Sequence, residues 1–264
     1  MYSETSTITF GDVAENHARM QQVGKLAERG FSYEEIIRAD DWFKSRGCHT
    51  EIIELNNYLP EEARNVDSNK AYVLIIKNAV NSILERADGA DVLMDEQTKL
   101  EKDTKAFMYG RVVNKHARHN LCFGEKDQEP EYEKGMGRIY AFDKLPYLKM
   151  IREKLYDILG ESANGLQAEG NYYYDISKCG IGFHGDSERR KVVAVRLGAT
   201  IPLHYVWYKN SEPVSEQIKI LNLEHGDMYI MSDKAVGNDW KKKTIYTLRH
   251  AAGCKRFTKI DNKK

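Results

Sequence analysis

Short segments rich in β-forming residues follow one another through the C-terminal part of the chain, and they constrain the fold more than any other feature. Turn-forming residues separate several of them, at Gly198, at 210–213 and at Gly226. Many short strands with no long segment between them are typical of sandwiches and jelly-roll barrels. The sequence therefore predicts an α+β protein in which residues 166–264 form a double-stranded β-helix, or jelly roll. The predicted strands are 167–176, 179–184, 191–198, 201–208, 217–223, 227–232, 244–250 and 255–260.

The second predicted strand ends in His184-Gly185-Asp186. Residues two apart on a strand lie on the same face, so this histidine and this aspartate can both point inward. An imidazole and a carboxylate placed in this way provide two ligands of the facial triad that binds non-haem Fe(II) and leaves positions open. The pattern alone occurs by chance in many proteins, so a metal site also requires a later histidine.

Three later histidines can complete such a site. His225 directly precedes a Gly-Asp turn, and His204 lies on an alternating strand near a tryptophan, where a core or rim position is typical. His250 ends the seventh predicted strand and is followed by small residues that leave room for ligands. In an eight-stranded jelly roll, the second and seventh strands are neighbours at one end. We therefore predict that His184, Asp186 and His250 bind one metal ion.

Fe(II) oxygenases of this layout require a cationic group for the remote carboxylate of 2-oxoglutarate. Arginine suits this role because its guanidinium meets a carboxylate through two parallel hydrogen bonds. Lys255 and Arg256 begin the predicted eighth strand and alternate in facing, so only one can point inward. We prefer Arg256, which keeps the face of His250 if the intervening turn is tight. Asn171 and Tyr173, two apart on the first predicted strand, can add an amide and a phenol.

Residues 1–65 are predicted to form a small N-terminal helical extension. A capping-box pattern at Asp12 predicts a helix through about Glu28. A second pattern at Ser32 predicts a helix that ends at Gly47.

Residues 66–165 are predicted to supply a lid and supporting helices that lead into the barrel. Residues 71–86 fit a strand followed by a helix, and Pro146 begins an amphipathic helix to Leu159. Between them, 107–142 mixes aromatic and basic residues in a way that suits base stacking and phosphate contacts.

Several motifs together resemble the AlkB-like group of 2-oxoglutarate- and Fe(II)-dependent dioxygenases. They are N-x-Y, H-x-D-x-E, VAVRLGA and LEHGDMYIM, followed by a histidine. The resemblance covers about 166–264 clearly and extends more weakly over 71–160, where the family carries a nucleotide-recognition lid. It implies that iron is bound by His184, Asp186 and His250. It also implies that Asn171 and Tyr173 contact 2-oxoglutarate, and that Glu188 is an acidic group near the substrate base.

The chain departs from the family pattern after the distal histidine. The family carries an R-x-N-x-x-x-R strand there, and no such motif follows His250, so Arg256 is assigned by position and chemistry. In an alternative register, Lys242 falls on the ligand position and Arg249 becomes the carboxylate anchor. Lysine does not bind iron at neutral pH, so that register implies an inactive protein. We prefer the register with His250 because it provides all the groups that the chemistry requires, namely the metal ligands and the carboxylate anchor.

The resemblance implies an oxidoreductase that uses Fe(II), 2-oxoglutarate and O2 to demethylate or hydroxylate bases in nucleic acid, as in DNA repair. A first alternative is a hydroxylase of a protein side chain or a small molecule, and a second is a non-catalytic binding module. Substrate contacts are expected from Glu188 and from the basic and aromatic side chains of 107–142. Those side chains are Arg111, Arg118, Arg138 and Tyr140.

Composition limits the partners and the compartment. Lys+Arg and Asp+Glu both number 40, so contact with nucleic acid must come from a local patch. The four cysteines show no CxxC spacing and are expected to be reduced thiols. No apolar run approaches the ~18–20 residues of a membrane span, and the N-terminus carries no basic, apolar leader. We expect a soluble intracellular protein of the cytoplasm or nucleus.

Overall fold

The computed structural model describes residues 2–216, 218–220 and 223–260. Its strands, in chain order, are β1 (Thr5–Gly11), β2 (Val13–Glu15), β3 (Gln22–Gly24), β4 (Thr50–Glu54), β5 (Tyr72–Ile76), β6 (Lys105–Met108), β7 (Arg111–Asn114), β8 (His119–Gly124), β9 (Ile139–Ala141), β10 (Gln167–Tyr173), β11 (Gly180–His184), β12 (Val192–Gly198), β13 (Leu203–Lys209), β14 (Glu212–Pro213), β15 (Ile218–Ile220), β16 (Met228–Met231) and β17 (Thr247–Gly253). Its α-helices are α1 (Tyr33–Lys44), α2 (Glu61–Arg64), α3 (Ala79–Ile83), α4 (Gly89–Thr98), α5 (Pro146–Leu159), α6 (Asp233–Val236) and α7 (Lys255–Thr258).

Two sheets carry the fold. The large sheet has the order β4-β5-β16-β12-β1-β10-β8-β9, and the small sheet has the order β11-β17-β13-β14, with β15 also paired to β13. Every pair in these two sheets is antiparallel except β8 with β9. The prediction of an α+β protein dominated by antiparallel strands is therefore confirmed.

The two faces of the large sheet have different roles because side chains alternate along each strand. On one face, Ile8, Phe10 and Val195 belong to a hydrophobic core that also contains buried residues of α1 and α5. On the other face, Val192 and Tyr229 pack with residues of the small sheet. Polar side chains interrupt this second core, and they surround the cavity described below.

The predicted helix from Asp12 to Glu28 is wrong. This segment forms the short strands β2 and β3, which pair with each other. The Asp12 carboxylate does not cap a helix but accepts hydrogen bonds from the backbone amides of Ala27, Arg190 and Lys191. The carboxylate thereby holds the N-terminal hairpin against the loop that precedes β12.

The first 65 residues are also not only helical, because β1 lies between β10 and β12 in the large sheet. Its sequence alternates threonine with larger apolar residues, and that period of two is the strand signal that the helix prediction overlooked.

The predicted eighth strand, 255–260, is wrong as well. Gly253 ends β17 with φ of 115°, and Cys254 then precedes the short helix α7. The other predicted strands of 166–250 correspond to β10, β11, β12, β13, β15, β16 and β17. Gln217, Leu221 and Asn222, which belong to the fifth predicted strand, lie outside the described residues.

Other predicted elements are confirmed. Ser32 caps α1, and the Ser32 backbone amide donates in return to the Glu35 carboxylate at 2.7 Å. This helix ends at Lys44, three residues before the predicted glycine stop. Helix α5 has the predicted bounds, from Pro146 to Leu159.

Replacing Ile8 with Ala should lower the free energy of unfolding by about 2–5 kcal/mol, because Ile8 is fully buried on the central strand β1. Urea denaturation measures the difference. Leu26→Ala is the control, since that side chain is 48% exposed in the same N-terminal region and should change stability little. Equal losses in both variants would contradict the placement of β1 in the sheet.

Candidate metal centre

Three side chains from two strands and a loop converge at one point. The ligand-type atoms of His184, Asp186 and His250 all lie within 4.8 Å of one another. The Asp186 Oδ1 atom lies 3.3 Å from Nε2 of His184 and 3.4 Å from Nε2 of His250. The residue set predicted from the sequence is therefore brought together, with both imidazoles directed at one carboxylate oxygen.

Backbone pairing explains the convergence. His184 ends β11 and pairs directly with His250 on β17. Asp186 follows two residues later, and its backbone amide donates to the carbonyl of Val236 at 3.1 Å. A Cβ atom at Gly185 would lie 2.1 Å from the carbonyl oxygen of Gly237, so this close approach requires glycine. The loop after β11 is thereby held against the loop after α6.

The tautomer of His184 is determined by its second ring nitrogen. Its Nδ1 lies 2.8 Å from the carbonyl oxygen of Gly182, which can only accept, so Nδ1 is the donor and Nε2 faces the Asp186 carboxylate. Such a hydrogen bond orients metal-binding histidines in general. The Nδ1 atom of His250 is buried and makes no hydrogen bond to the described residues.

The ionisation states suit a cation. Burial opposes the charge on Asp186, but the imidazoles of His250 and His184 and the Arg189 guanidinium outweigh it and hold the pKa of this carboxyl well below its usual range. Burial lowers the pKa of His250, with a further contribution from His184. An anionic carboxylate beside neutral imidazole is the state that divalent metals bind.

The three residues lie in the wall of a cavity of about 600 Å³ between the two sheets. Alternate residues of β1, β10, β12 and β16 line it on one side, and residues of β11, β13 and β17 line it on the other. Its rim includes the N-terminal hairpin and the segment after α6, which contribute exposed side chains such as Arg19 and Lys241.

A second buried charge cluster adjoins the triad. The guanidinium of Arg189 is 2% exposed and contacts the carboxylates of Glu169 at 2.6 Å, Glu188 at 2.9 Å and Asp186 at 3.5 Å. Burial raises the pKa of Glu188, and the neighbouring Asp186 raises it further. Burial, with Glu188 nearby, raises the pKa of Glu15 at the rim to about 7.

Several residues predicted for the site do line the cavity: Asn171, Tyr173, Glu188 and Arg118. The amide oxygen of Asn171 accepts from Arg118 Nε at 2.7 Å and from Asn120 Nδ2 at 2.8 Å. Its amide nitrogen donates to Glu169 at 3.0 Å. Arg118 therefore orients a cavity residue, in addition to any contact with substrate.

Arg256, the predicted carboxylate anchor, does not line the cavity. It is exposed on α7, as is Lys255, because the chain turns into a helix after β17 and the expected strand alternation does not apply. Lys242, from the alternative register, is exposed and also outside the cavity lining. Arg249 lies over the ring of Tyr208, with 3.8 Å between its Cζ atom and the ring centroid.

Three of the predicted substrate contacts lie outside the cavity lining. Arg138 forms ion pairs with Glu101 at 3.1 Å and Glu129 at 2.6 Å, so its charge is compensated. The hydroxyl of Tyr140 accepts from the backbone amide of Glu101, and its ring packs against the main core. Arg111 is exposed on the β6–β7 hairpin.

Sequence reasoning missed most of the cavity lining, including Thr7, Glu15, Arg189 and Arg196. The clearest available signal was Arg196, a charged residue in the middle of the apolar run VAVRLGA, where a buried strand was predicted. Arg189 gave no signal because it follows an H-x-D-x-E motif on a loop, where exposed charges are common.

The chain is 51% identical over 257 residues to the uncharacterized protein R156 of Acanthamoeba polyphaga mimivirus, and the alignment covers 97% of this chain and 98% of that protein. The chain belongs to the family of this mimivirus protein. No protein-family model matches the chain. The name of that protein describes no activity, so the chemistry is inferred from the site itself. Among the described residues, no helix is both long and apolar enough to cross a membrane.

Replacing Glu15 with Gln should make the protein more stable at pH 8 than the native chain, and equally stable near pH 4. A carboxyl whose pKa is raised to about 7 on folding binds more protons folded than unfolded between about pH 4.5 and 7. Stability therefore falls as pH rises through this window, by about 1 kcal/mol after solvent screening. Urea denaturation at both pH values tests this, and an unchanged pH dependence in the variant would contradict it.

Proposed function

We propose that this protein is an Fe(II)- and 2-oxoglutarate-dependent dioxygenase of the AlkB-like type, acting on bases in nucleic acid. The observation that supports it most is the cluster of His184, Asp186 and His250 in the wall of an open cavity. Two imidazoles and one carboxylate are the ligand set of non-haem Fe(II) oxygenases, and they leave the remaining coordination positions for a co-substrate and O2.

The strand arrangement supports a jelly roll as the scaffold. Between β10 and β17, the large sheet receives β10, β12 and β16, and the small sheet receives β11, β13, β15 and β17. These seven strands would correspond to seven strands of an eight-stranded jelly roll. In this proposal β1 supplies the eighth, since it lies between β10 and β12.

When bound, Fe(II) would allow O2 to convert 2-oxoglutarate to succinate and CO2 while the second oxygen atom enters a substrate C–H bond. An N-methyl group then becomes N-hydroxymethyl, which leaves as formaldehyde. In this chemistry the protein binds and orients the reactants. Gly182 fixes the ring of His184, and Arg189 lies beside the carboxylate of Asp186. Apolar residues such as Leu203 and Met231 also line the cavity, and apolar lining would limit water around the reactants.

A methylated base suits the charges near the rim. Glu15 and Glu188 can accept hydrogen bonds from a cationic base or an exocyclic amine, and Arg19 and Lys241 are exposed at the same rim for phosphates. A base in a duplex must be flipped out to reach such a cavity, so single-stranded or damaged nucleic acid is the favoured substrate.

The second candidate is a hydroxylase of a protein side chain or a small molecule that carries a cationic nitrogen. The carboxylates of Glu15, Glu169 and Glu188 all line the cavity, and three acidic groups favour a cation of any origin. The engagement of Arg138 and Tyr140 in internal contacts also removes two groups expected to bind nucleic acid.

Replacing His184, Asp186 or His250 with Ala should abolish both binding of Fe(II) and 2-oxoglutarate-dependent succinate formation, because each removes one of three metal ligands. Metal analysis of the protein loaded without oxygen measures binding separately from turnover. His49→Ala is the control, since that histidine is exposed and away from the cluster. One equivalent of tightly bound iron in His250→Ala would refute the ligand set, and absence of iron and turnover in the native protein would leave a non-catalytic binding module.

Reversing both Arg19 and Lys241 to Glu should weaken binding of a single-stranded oligonucleotide at low salt by at least about tenfold and flatten its salt dependence. Released counterions drive such binding, and each lost phosphate contact lowers the salt slope by about one. Fluorescence anisotropy over a salt series measures both effects. The double reversal of the exposed Lys255 and Arg256 to Glu is the charge-matched control, because neither residue lines the cavity. A native protein that forms succinate but binds no oligonucleotide would establish the second candidate.

A further inference from the structure

Arg196 carries a buried charge that the described residues leave uncompensated. The residue is 1% exposed, and its Nε and Nη1 atoms are buried without a hydrogen-bond partner. The carboxylate of Asp227, on the adjacent loop, is already engaged by Lys77 and by the backbone amides of Asn78 and Glu224. Arg189, by contrast, meets three carboxylates.

The side chain of Arg196 faces the cavity of the candidate metal centre. Arg196 on β12 pairs directly with Thr7 on β1, and Thr7 pairs directly with Asn171 on β10. Directly paired residues project from the same face of a sheet. All three line the cavity together with the His-Asp-His cluster, whereas the flanking Val195 and Leu197 belong to the core on the opposite face.

A buried guanidinium without a counter-charge is strongly unfavourable in a folded protein. Buried polar groups that lack a partner within the chain call for an explanation, and a ligand that supplies the missing acceptors is one. Arg196 lines the cavity, so a small anion bound there would supply the missing acceptors.

We propose that Arg196 is the anion anchor of this cavity and binds the remote carboxylate of a 2-oxo dicarboxylate whose other end faces the metal ligands. That the other end of this dicarboxylate faces a metal rests on the proposed function. The chain thus supplies its anchor from β12, beside β1, in place of the helix-borne Arg256.

The surroundings of Arg196 suit a carboxylate better than a phosphate. One guanidinium compensates one negative charge and meets a carboxylate through two parallel hydrogen bonds. Burial raises the pKa of Tyr173 and of Tyr229, so both phenols stay neutral and can donate hydrogen bonds to an anion. Neither phenol adds a positive charge to that of the guanidinium. Leu203 and Met231 line the same cavity and suit the methylene groups of a dicarboxylate.

Calorimetric titration of the Co(II)-loaded protein with 2-oxoglutarate tests this anchor without relying on turnover. Arg196→Met should raise the Kd for 2-oxoglutarate by ~30- to 1000-fold, because a charge-assisted bidentate contact is lost. The Kd for pyruvate, which lacks the second carboxylate, should stay the same. Arg256→Met is the matched control and should change neither value. Inorganic phosphate should bind more weakly than 2-oxoglutarate to the native protein.

Folding of the variant is checked independently. Arg196→Met should bind one equivalent of Co(II), and its thermal midpoint without ligand should equal or exceed that of the native protein, because an uncompensated buried charge is removed. If Arg196 were purely structural, its replacement would instead lower that midpoint and weaken the binding of pyruvate and 2-oxoglutarate alike.

Three results would overturn the proposal. They are an unchanged Kd for 2-oxoglutarate in Arg196→Met, a loss of 2-oxoglutarate affinity in Arg256→Met instead, and tighter binding of phosphate than of 2-oxoglutarate to the native protein. Failure of the proposed function differs from these. If dicarboxylate binding depends on Arg196 but the iron-loaded protein forms no succinate with any substrate, the anchor stands and the dioxygenase assignment falls.

Discussion

The buried guanidinium of Arg189 is the interaction on which the candidate site depends. Its contacts reach Glu169 on the large sheet, Glu188 near the rim and Asp186 in the metal cluster. Without this cation, three carboxylates would face one another in a space from which water is largely excluded, and such an arrangement ionises only partly. Arg189 therefore does more than neutralise charge, because it adds to the larger effect of His250 and His184 in keeping Asp186 in the anionic form that a divalent metal requires.

Two arginines thus line one cavity in opposite electrostatic conditions. Arg189 is surrounded by carboxylates, while Arg196 has buried nitrogens without a partner. The contrast divides the cavity lining into an acidic part around Arg189 and a cationic part at Arg196. Such a division suits two different reactants at once, an anionic co-substrate at Arg196 and a substrate with a cationic or hydrogen-bond-donating group at the carboxylates.

Sequence patterns predicted the parts of this protein that local periodicity determines. The strands of 166–250, the capped helix α1 and the grouping of His184, Asp186 and His250 all followed from spacing. The failures concern long-range pairing. A threonine-rich N-terminal segment gives no indication of which strands it joins, and Arg256 was assigned to a strand that turns into a helix after Gly253. Arg196 was not predicted as the anchor, because the roles of Arg196 and Arg256 cannot be judged without knowing that β1 joins the large sheet.

The position of β1 also has a consequence for how the protein is made. Thr5 bonds to the carbonyl of Leu197, a separation of 192 residues along the chain. At about 5–20 residues per second, the ribosome delivers the partners of this strand roughly 10–40 s after the strand itself. During that interval this β-prone segment lacks its partners β10 and β12, and its pairing closes a very long loop, which slows folding. The metal cluster and the cavity therefore take shape late, when β1 and the strands from β10 to β17 have all been synthesised.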